Sequence, residues 1–220
     1  MMNPASLIDH TLLKATTTGA DIDLLCEEAV EYGFAAVCVP PTFVGRSSHR
    51  LYGSGVEVAT VIGFPLGYEL SEIKKMQAER AIAAGATEID MVIDLGAAKA
   101  GDLERVHSDI AAVVSACGSV PVKTILECCL FDAGMKEQLA RTAVQAGAAF
   151  VKTSTGFAEG GATVEDVKLL TATVDGRAGV KAAGGIRDWE SCQRMIAAGA
   201  TRIGASAGVE IVRQWLADQE

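Results

Sequence analysis

The 220-residue sequence is poor in histidine: His10, His49 and His107 are the only three, and none stands in an H-E-x-x-H or H-x-x-E-H setting. A histidine-held catalytic zinc is therefore not expected, whereas a carboxylate-bound magnesium stays open on this ground. Basic charge is also scarce, since 19 Lys and Arg against 28 Asp and Glu leave a net charge of −9. Binding nucleic acid through its phosphates needs a basic surface, so that function class is set aside. The acidic balance otherwise speaks to solubility. No apolar run approaches membrane-spanning length, and the opening MMNPASLIDHTLLK lacks a basic segment followed by a long apolar one, so no secretory signal is expected. The six cysteines (Cys26, Cys38, Cys117, Cys128, Cys129, Cys192) include no C-x-x-C pair, and adjacent Cys128 and Cys129 cannot easily bridge each other. Reduced thiols in a cytoplasmic protein are the expectation. Absent too is any linker, charge block or low-complexity run, so residues 1–220 read as a single domain around one core.

What the chain does contain is a monotonous alternation of strand and helix signals. Strands are expected at Leu7–His10, Ala35–Val39, Val56–Gly63, Glu88–Ile93, Pro121–Glu127, Ala149–Gly156, Gly179–Ala183 and Arg202–Ser206. Between them lie helical patterns. The first, introduced by Thr18-Gly19 and closed by Gly33, carries an apolar face of Ile22, Leu25, Cys26, Ala29 and Val30. Others run over Val44–Tyr52, Ser71–Ala84 with Ser71 as cap, a short helix or turn at Leu95–Gly101, and a helix faced by Leu103, Val106, Ile110, Val113 and Val114. Ala133–Ala146, Thr163–Val174 with a Thr163/Asp166 capping box, Asp188–Ala198, and Val209–Ala217 faced by Val209, Val212 and Leu216 complete the set. Three helices end in a shared small-residue sentence, AIAAGATEID, AVQAGAAFVK and MIAAGATRIG, as repeated modules would. Eight such units in this length predict an α/β fold of the TIM (β/α)8 type. An open doubly wound sheet competes, but eight regular units without an edge-type strand favour closure.

In a barrel, side chains alternate between lumen and helices. If Val151 and Thr153 face the helices, Lys152 faces the lumen, and the same parity turns Lys181, Asp90 and Lys123 inward, with Asp9 able to join them. Packing alone would fill a lumen with Val, Ile or Leu. A mutually neutralised structural ion cluster is the plain alternative to chemistry. The three lysines exceed the two aspartates by one, and burial beside other cations lowers a lysine pKa towards the neutral amine that attacks a carbonyl. Glu127 would change that count if it also faced inward. A second signal is glycine just past the last three strands, in Thr155-Gly156, Gly184-Gly185 and Gly204-Ala205-Ser206. Bare backbone N–H groups there fit the usual phosphate position of the fold. An amine beside a phosphate grip implies a phosphosugar carrying a carbonyl.

The segments IDHTLLK, AAVCVPP, VIGFPLG, EIDMVIDLGAAKAGD, FVKTSTGF, KAAGGIR and ATRIGASAG, spread from end to end of the chain, resemble the signature segments of the deoxyribose-phosphate aldolases. The resemblance implies a class I aldolase needing no metal and no cofactor. It would cleave 2-deoxy-D-ribose 5-phosphate reversibly to D-glyceraldehyde 3-phosphate and acetaldehyde. It further implies Lys152 as the Schiff-base lysine, Lys181 as the neighbour that perturbs its pKa, and Asp90 as the proton-transfer group. Lys123 and Asp9 would support that relay, while Thr155, Gly156, Gly184, Gly185, Gly204 and Ser206 would contact substrate and phosphate. A homodimer is implied on the same basis. Ala207 stands where many relatives have a second serine, Glu127-Cys128-Cys129 replaces a more usual Glu-Thr run, and the closing Asp218-Gln219-Glu220 lacks the terminal tyrosine of some relatives. Cys38 reads as a buried apolar thiol, with reaction towards aldehydes as the alternative, and Cys128 as a packing thiol. Other readings are a different lysine-dependent aldolase, a transaldolase, or a silent barrel that only binds a sugar phosphate.

Overall fold

The computed structural model describes residues 3–219; Met1 and Met2, part of the stretch scanned for a secretory signal, and Glu220 of the closing run lie outside the described residues. Strands β1 (Ile8–Thr11), β2 (Ala36–Val39), β3 (Glu57–Ile62), β4 (Glu88–Val92), β5 (Val122–Ile125), β6 (Phe150–Lys152), β7 (Gly179–Ala183) and β8 (Arg202–Ala205) pair in chain order, all parallel. β8 pairs back onto β1 with Gly204 opposite Asp9, which closes the sheet. Around it run α1 (Gly19–Tyr32), α2 (Val44–Arg50), α3 (Ser71–Ala83), α4 (Leu95–Ala100), α5 (Leu103–Cys117), α6 (Ala133–Gln145), α7 (Val164–Val174), α8 (Trp189–Ala197) and α9 (Gly208–Ala217). The molecule is a TIM barrel, not an open sheet.

Strand alternation divides the apolar residues into two cores. Ile89, Met91, Val122, Val151 and Val180 point outward into the layer between sheet and helices. Inside, Ala36, Cys38, Ala59 and Val61 of β2 and β3 form a separate apolar wall, with Leu13 and Phe64 packed on it. Among the described residues no helix is long and apolar enough to cross a membrane. All six cysteines are free, and only Cys129 is exposed.

The three repeated turns share one geometry. At Gly85, Gly147 and Gly199 the backbone is left-handed (φ 105°, 91° and 110°). In each turn the N–H of the following alanine reaches back to the last helical turn: Ala86 to Ala81 O, Ala148 to Ala143 O and Ala200 to Met195 O, all at 3.0 Å. Each glycine N–H bonds the next carbonyl along, which is the Schellman closure of a helix.

Several boundaries differ from expectation, each for a local reason. Leu7 belongs to a 3-10 turn capped by the Asn3 side chain, so β1 starts one residue later. Ser71 does not cap α3: Leu70 holds that position, and the Ser71 hydroxyl donates instead to Asp109 across on α5, at 2.7 Å. Thr163 caps α7, but the reciprocal half of the box is missing because Lys136 donates to the Asp166 carboxylate at 2.6 Å. Val30 and Leu216 are exposed; α9 buries Ile211 with Val212.

Candidate active site

Register brings the inward side chains together. Asp90 lies opposite Lys123, Lys152 opposite Lys181, and Lys181 opposite Arg202. Lys152 Nζ and Lys181 Nζ each donate to the same oxygen, Asp90 Oδ2, at 2.7 Å. Lys123 Nζ donates to Asp90 Oδ1 at 2.9 Å and to Glu88 at 2.6 Å, and lies 3.5 Å from Asp9. Lys181 also donates to Asp9. Gly204 makes that reach possible, because a Cβ there would sit 3.1 Å from Lys181 Cε and 2.9 Å from Ala183 Cβ. The five expected lumen residues therefore form one cluster.

Two members were not foreseen. Arg202 donates to Asp9 at 2.7 Å and to Glu88 at 2.9 and 3.3 Å, sealing the floor of the cluster. Strand parity carried the signal for both, since Glu88 is two residues before Asp90 and Arg202 two before Gly204. Four cations (Lys123, Lys152, Lys181, Arg202) now face three carboxylates (Asp9, Glu88, Asp90), so the excess of one remains. Glu127 does not enter the count: its backbone is left-handed (φ 52°, ψ 62°) and its carboxylate turns to Thr155.

The electrostatics separate the lysines. Burial lowers the Lys152 pKa and Lys181 lowers it further; Asp90 opposes both, and the net lies below the ordinary lysine value. For Lys181 burial also acts downward, but Asp9 and Asp90 outweigh it and hold the pKa up. Lys123 is raised likewise, its burial outweighed by Asp90, Asp9 and Glu88. Asp90, despite burial, is held well below the usual carboxylate range by Lys123, Lys152 and Lys181. Burial pushes the Cys38 thiol up to about 11, which keeps it an un-ionised member of the apolar wall.

Of this cluster only Lys152 borders the cavity above it, a space of about 290 Å³ at the carboxyl ends of β6, β7, β8 and β1. Its rim contains Thr155, Gly156, Gly184, Gly185, Gly204 and Ser206, the full set expected from the sequence. Gly156, Gly184 and Gly185 are left-handed (φ 81°, 91° and 81°), which turns backbone where side chains would intrude. Lys14 and Arg187, cations unforeseen from the sequence, also line it; no local pattern marks a loop cation as cavity-lining. A larger space of about 500 Å³ lies beside α3 and borders none of the lumen charges.

A closed (β/α)8 barrel in which one lysine of a buried ion cluster borders the cavity defines a catalyst for amine–carbonyl chemistry. The chain belongs to the DeoC/LacD family aldolases, whose pattern it matches over residues 5–217. It is 53% identical over 220 residues to the deoxyribose-phosphate aldolase of Exiguobacterium sibiricum, covering 100% of both chains. To that of Syntrophotalea carbinolica it is 50% identical over 215 residues, covering 98% of this chain and 97% of the other. The tetrameric deoxyribose phosphate aldolase of Aeropyrum pernix superposes with a TM-score of 0.91 at 35% identity, over 96% of this chain and 90% of that one.

Proposed function

We propose that this aldolase cleaves 2-deoxy-D-ribose 5-phosphate reversibly to D-glyceraldehyde 3-phosphate and acetaldehyde, with Lys152 as the amine that carries the substrate. The observation that carries the reading is Lys152 itself. It is the one lumen lysine on the cavity wall, its pKa is lowered, and its Nζ is 2.7 Å from an ionised Asp90. The names borne by the relatives supply the substrate.

The neutral Lys152 amine adds to the substrate aldehyde carbon, and with uptake of one proton the adduct loses water to give a protonated imine, an electron sink. Loss of the C3 hydroxyl proton then breaks the C2–C3 bond, leaving the two-carbon enamine on Lys152 and releasing the phosphorylated aldehyde. Protonation of the enamine and hydrolysis return acetaldehyde and the free amine. Asp90 and the charged Lys181 are the proton-handling pair; Lys123 and Asp9 hold them in place. The phosphate lies at the rim formed by Gly156, Gly184, Gly185, Gly204 and Ser206, near the start of α9, where unpaired N–H groups favour an anion. Lys14 and Arg187 add positive charge at that rim. The glycine rim is confined to β6–β8, which fits one phosphate better than the two of a bisphosphate substrate. The reading extends to a cytoplasmic location and to a homodimer, the latter supported by the exposed apolar run Leu66, Tyr68, Leu70, Ile73 and Met76; light scattering tests the dimer.

Acetaldehyde with borohydride tests the chemistry. The expected result is an ethyl group on Lys152 found by peptide mass analysis, with chelators leaving turnover unchanged. A protein that binds sugar phosphate without chemistry gains no mass.

A further inference from the structure

Glu127, just past the end of β5, is a buried acid that the mechanism does not use. Glu127 is 2% exposed and enters none of the ion pairs that knit the lumen. Its carboxylate accepts the Thr155 N–H through both oxygens, at 3.2 and 3.3 Å, and also accepts the Thr155 hydroxyl proton. The Thr155 hydroxyl oxygen in turn accepts the Phe157 N–H at 3.0 Å. A threonine hydroxyl has one donor and two acceptor positions. Glu127 takes the donor and Phe157 one acceptor, so one lone pair remains free on a residue that lines the cavity. Other bonds hold the segment against sliding: Cys128 N–H to Thr153 O at 2.8 Å, and Ala162 N–H to Gly184 O at 3.0 Å.

We infer that Glu127 is a positioning residue that fixes Thr155 as an acceptor, so that Thr155 reads a substrate hydroxyl and not the phosphate. A phosphate dianion offers no proton to such a lone pair, whereas a sugar hydroxyl does. The inference rests on the aldolase reading and deepens it: of the groups on a phosphorylated hydroxyaldehyde, the hydroxyl between carbonyl and phosphate is the one this geometry selects. Sites built around a substrate hydroxyl discriminate against analogues lacking it, because a polar group is otherwise left without a partner.

The test runs in the condensation direction, with acetaldehyde and either D-glyceraldehyde 3-phosphate or 3-oxopropyl phosphate, which lacks only the intervening hydroxyl. Wild type is expected to favour the hydroxylated acceptor in kcat/KM by about tenfold or more. Glu127→Gln, whose amide can donate and so reverse the Thr155 hydroxyl, and Thr155→Val should each reduce that preference several-fold, while Thr155→Ser should keep it. A merely structural role would lower both acceptors alike. Discrimination equal to wild type in Thr155→Val, or in a folded Glu127→Gln, overturns the inference while leaving the aldolase reading intact. Absence of an ethyl adduct on wild-type Lys152 would overturn both.

Discussion

Lys152 and Lys181 are the same residue type on adjacent strands and share one carboxylate oxygen, yet their basicities move in opposite directions. The second carboxylate decides it: Lys181 also holds Asp9, whereas Lys152 has Asp90 alone among the described residues. Replacing Lys181 by leucine removes a cation from beside Lys152 and frees Asp90 to attract its proton. Both effects raise the Lys152 pKa, so the acid limb of the imine-trapping rate should move to higher pH; an unmoved limb would contradict the argument. Lys152→Leu should lower turnover by at least about 10³-fold with the far-UV spectrum unchanged, checked by coupled assay. These inward lysines were legible from parity alone, because a two-residue period leaves a strand side chain only two faces. Glu127 was not: it shares the parity of Lys123, and one left-handed residue turned it to a different partner.

Helix ends show where local sequence suffices. The three repeated turns were legible because a Schellman closure is satisfied within six residues. Ser71 and Asp166 were not, since Asp109 and Lys136 on other helices claim their side chains, and no local pattern encodes a distant partner. The turn glycines also differ among themselves. At Gly33 (φ 70°) a Cβ would meet nothing within 4 Å, whereas at Gly199 (φ 110°) it would lie 2.6 Å from Thr171 Cγ2. Gly33→Ala should therefore cost about 1–2 kcal/mol for the backbone alone. Gly199→Ala should cost about 1–3 kcal/mol more for overpacking. Urea unfolding of both variants checks the order; equal losses would remove the steric contribution.

At the scale of the whole molecule the lumen couples stability to pH. Asp9 and Asp90 have folded pKa values below the ordinary 3.8. Their contribution is present above that value and is lost as pH falls through the folded ones, so the thermal midpoint should drop below about pH 4. The raised Lys181 contributes fully below 10.5 and loses its contribution as pH rises past its folded value. Lys152, being lowered, runs the other way, and its protonation costs the folded state. Asp90→Asn should flatten the acid slope and lower stability at neutral pH by about 3–5 kcal/mol, because buried ammoniums lose their partner; calorimetry across pH checks both, and an unchanged slope would sink the assignment. The lumen charges stand on β1 and β4–β8, opposite the hydrocarbon wall of β2 and β3. The bore thus keeps its fixed charges to one side, an arrangement assembled when the chain folds. Solvent would have to reorient its molecules each time charge moved at the amine; here that work is finished before any sugar arrives.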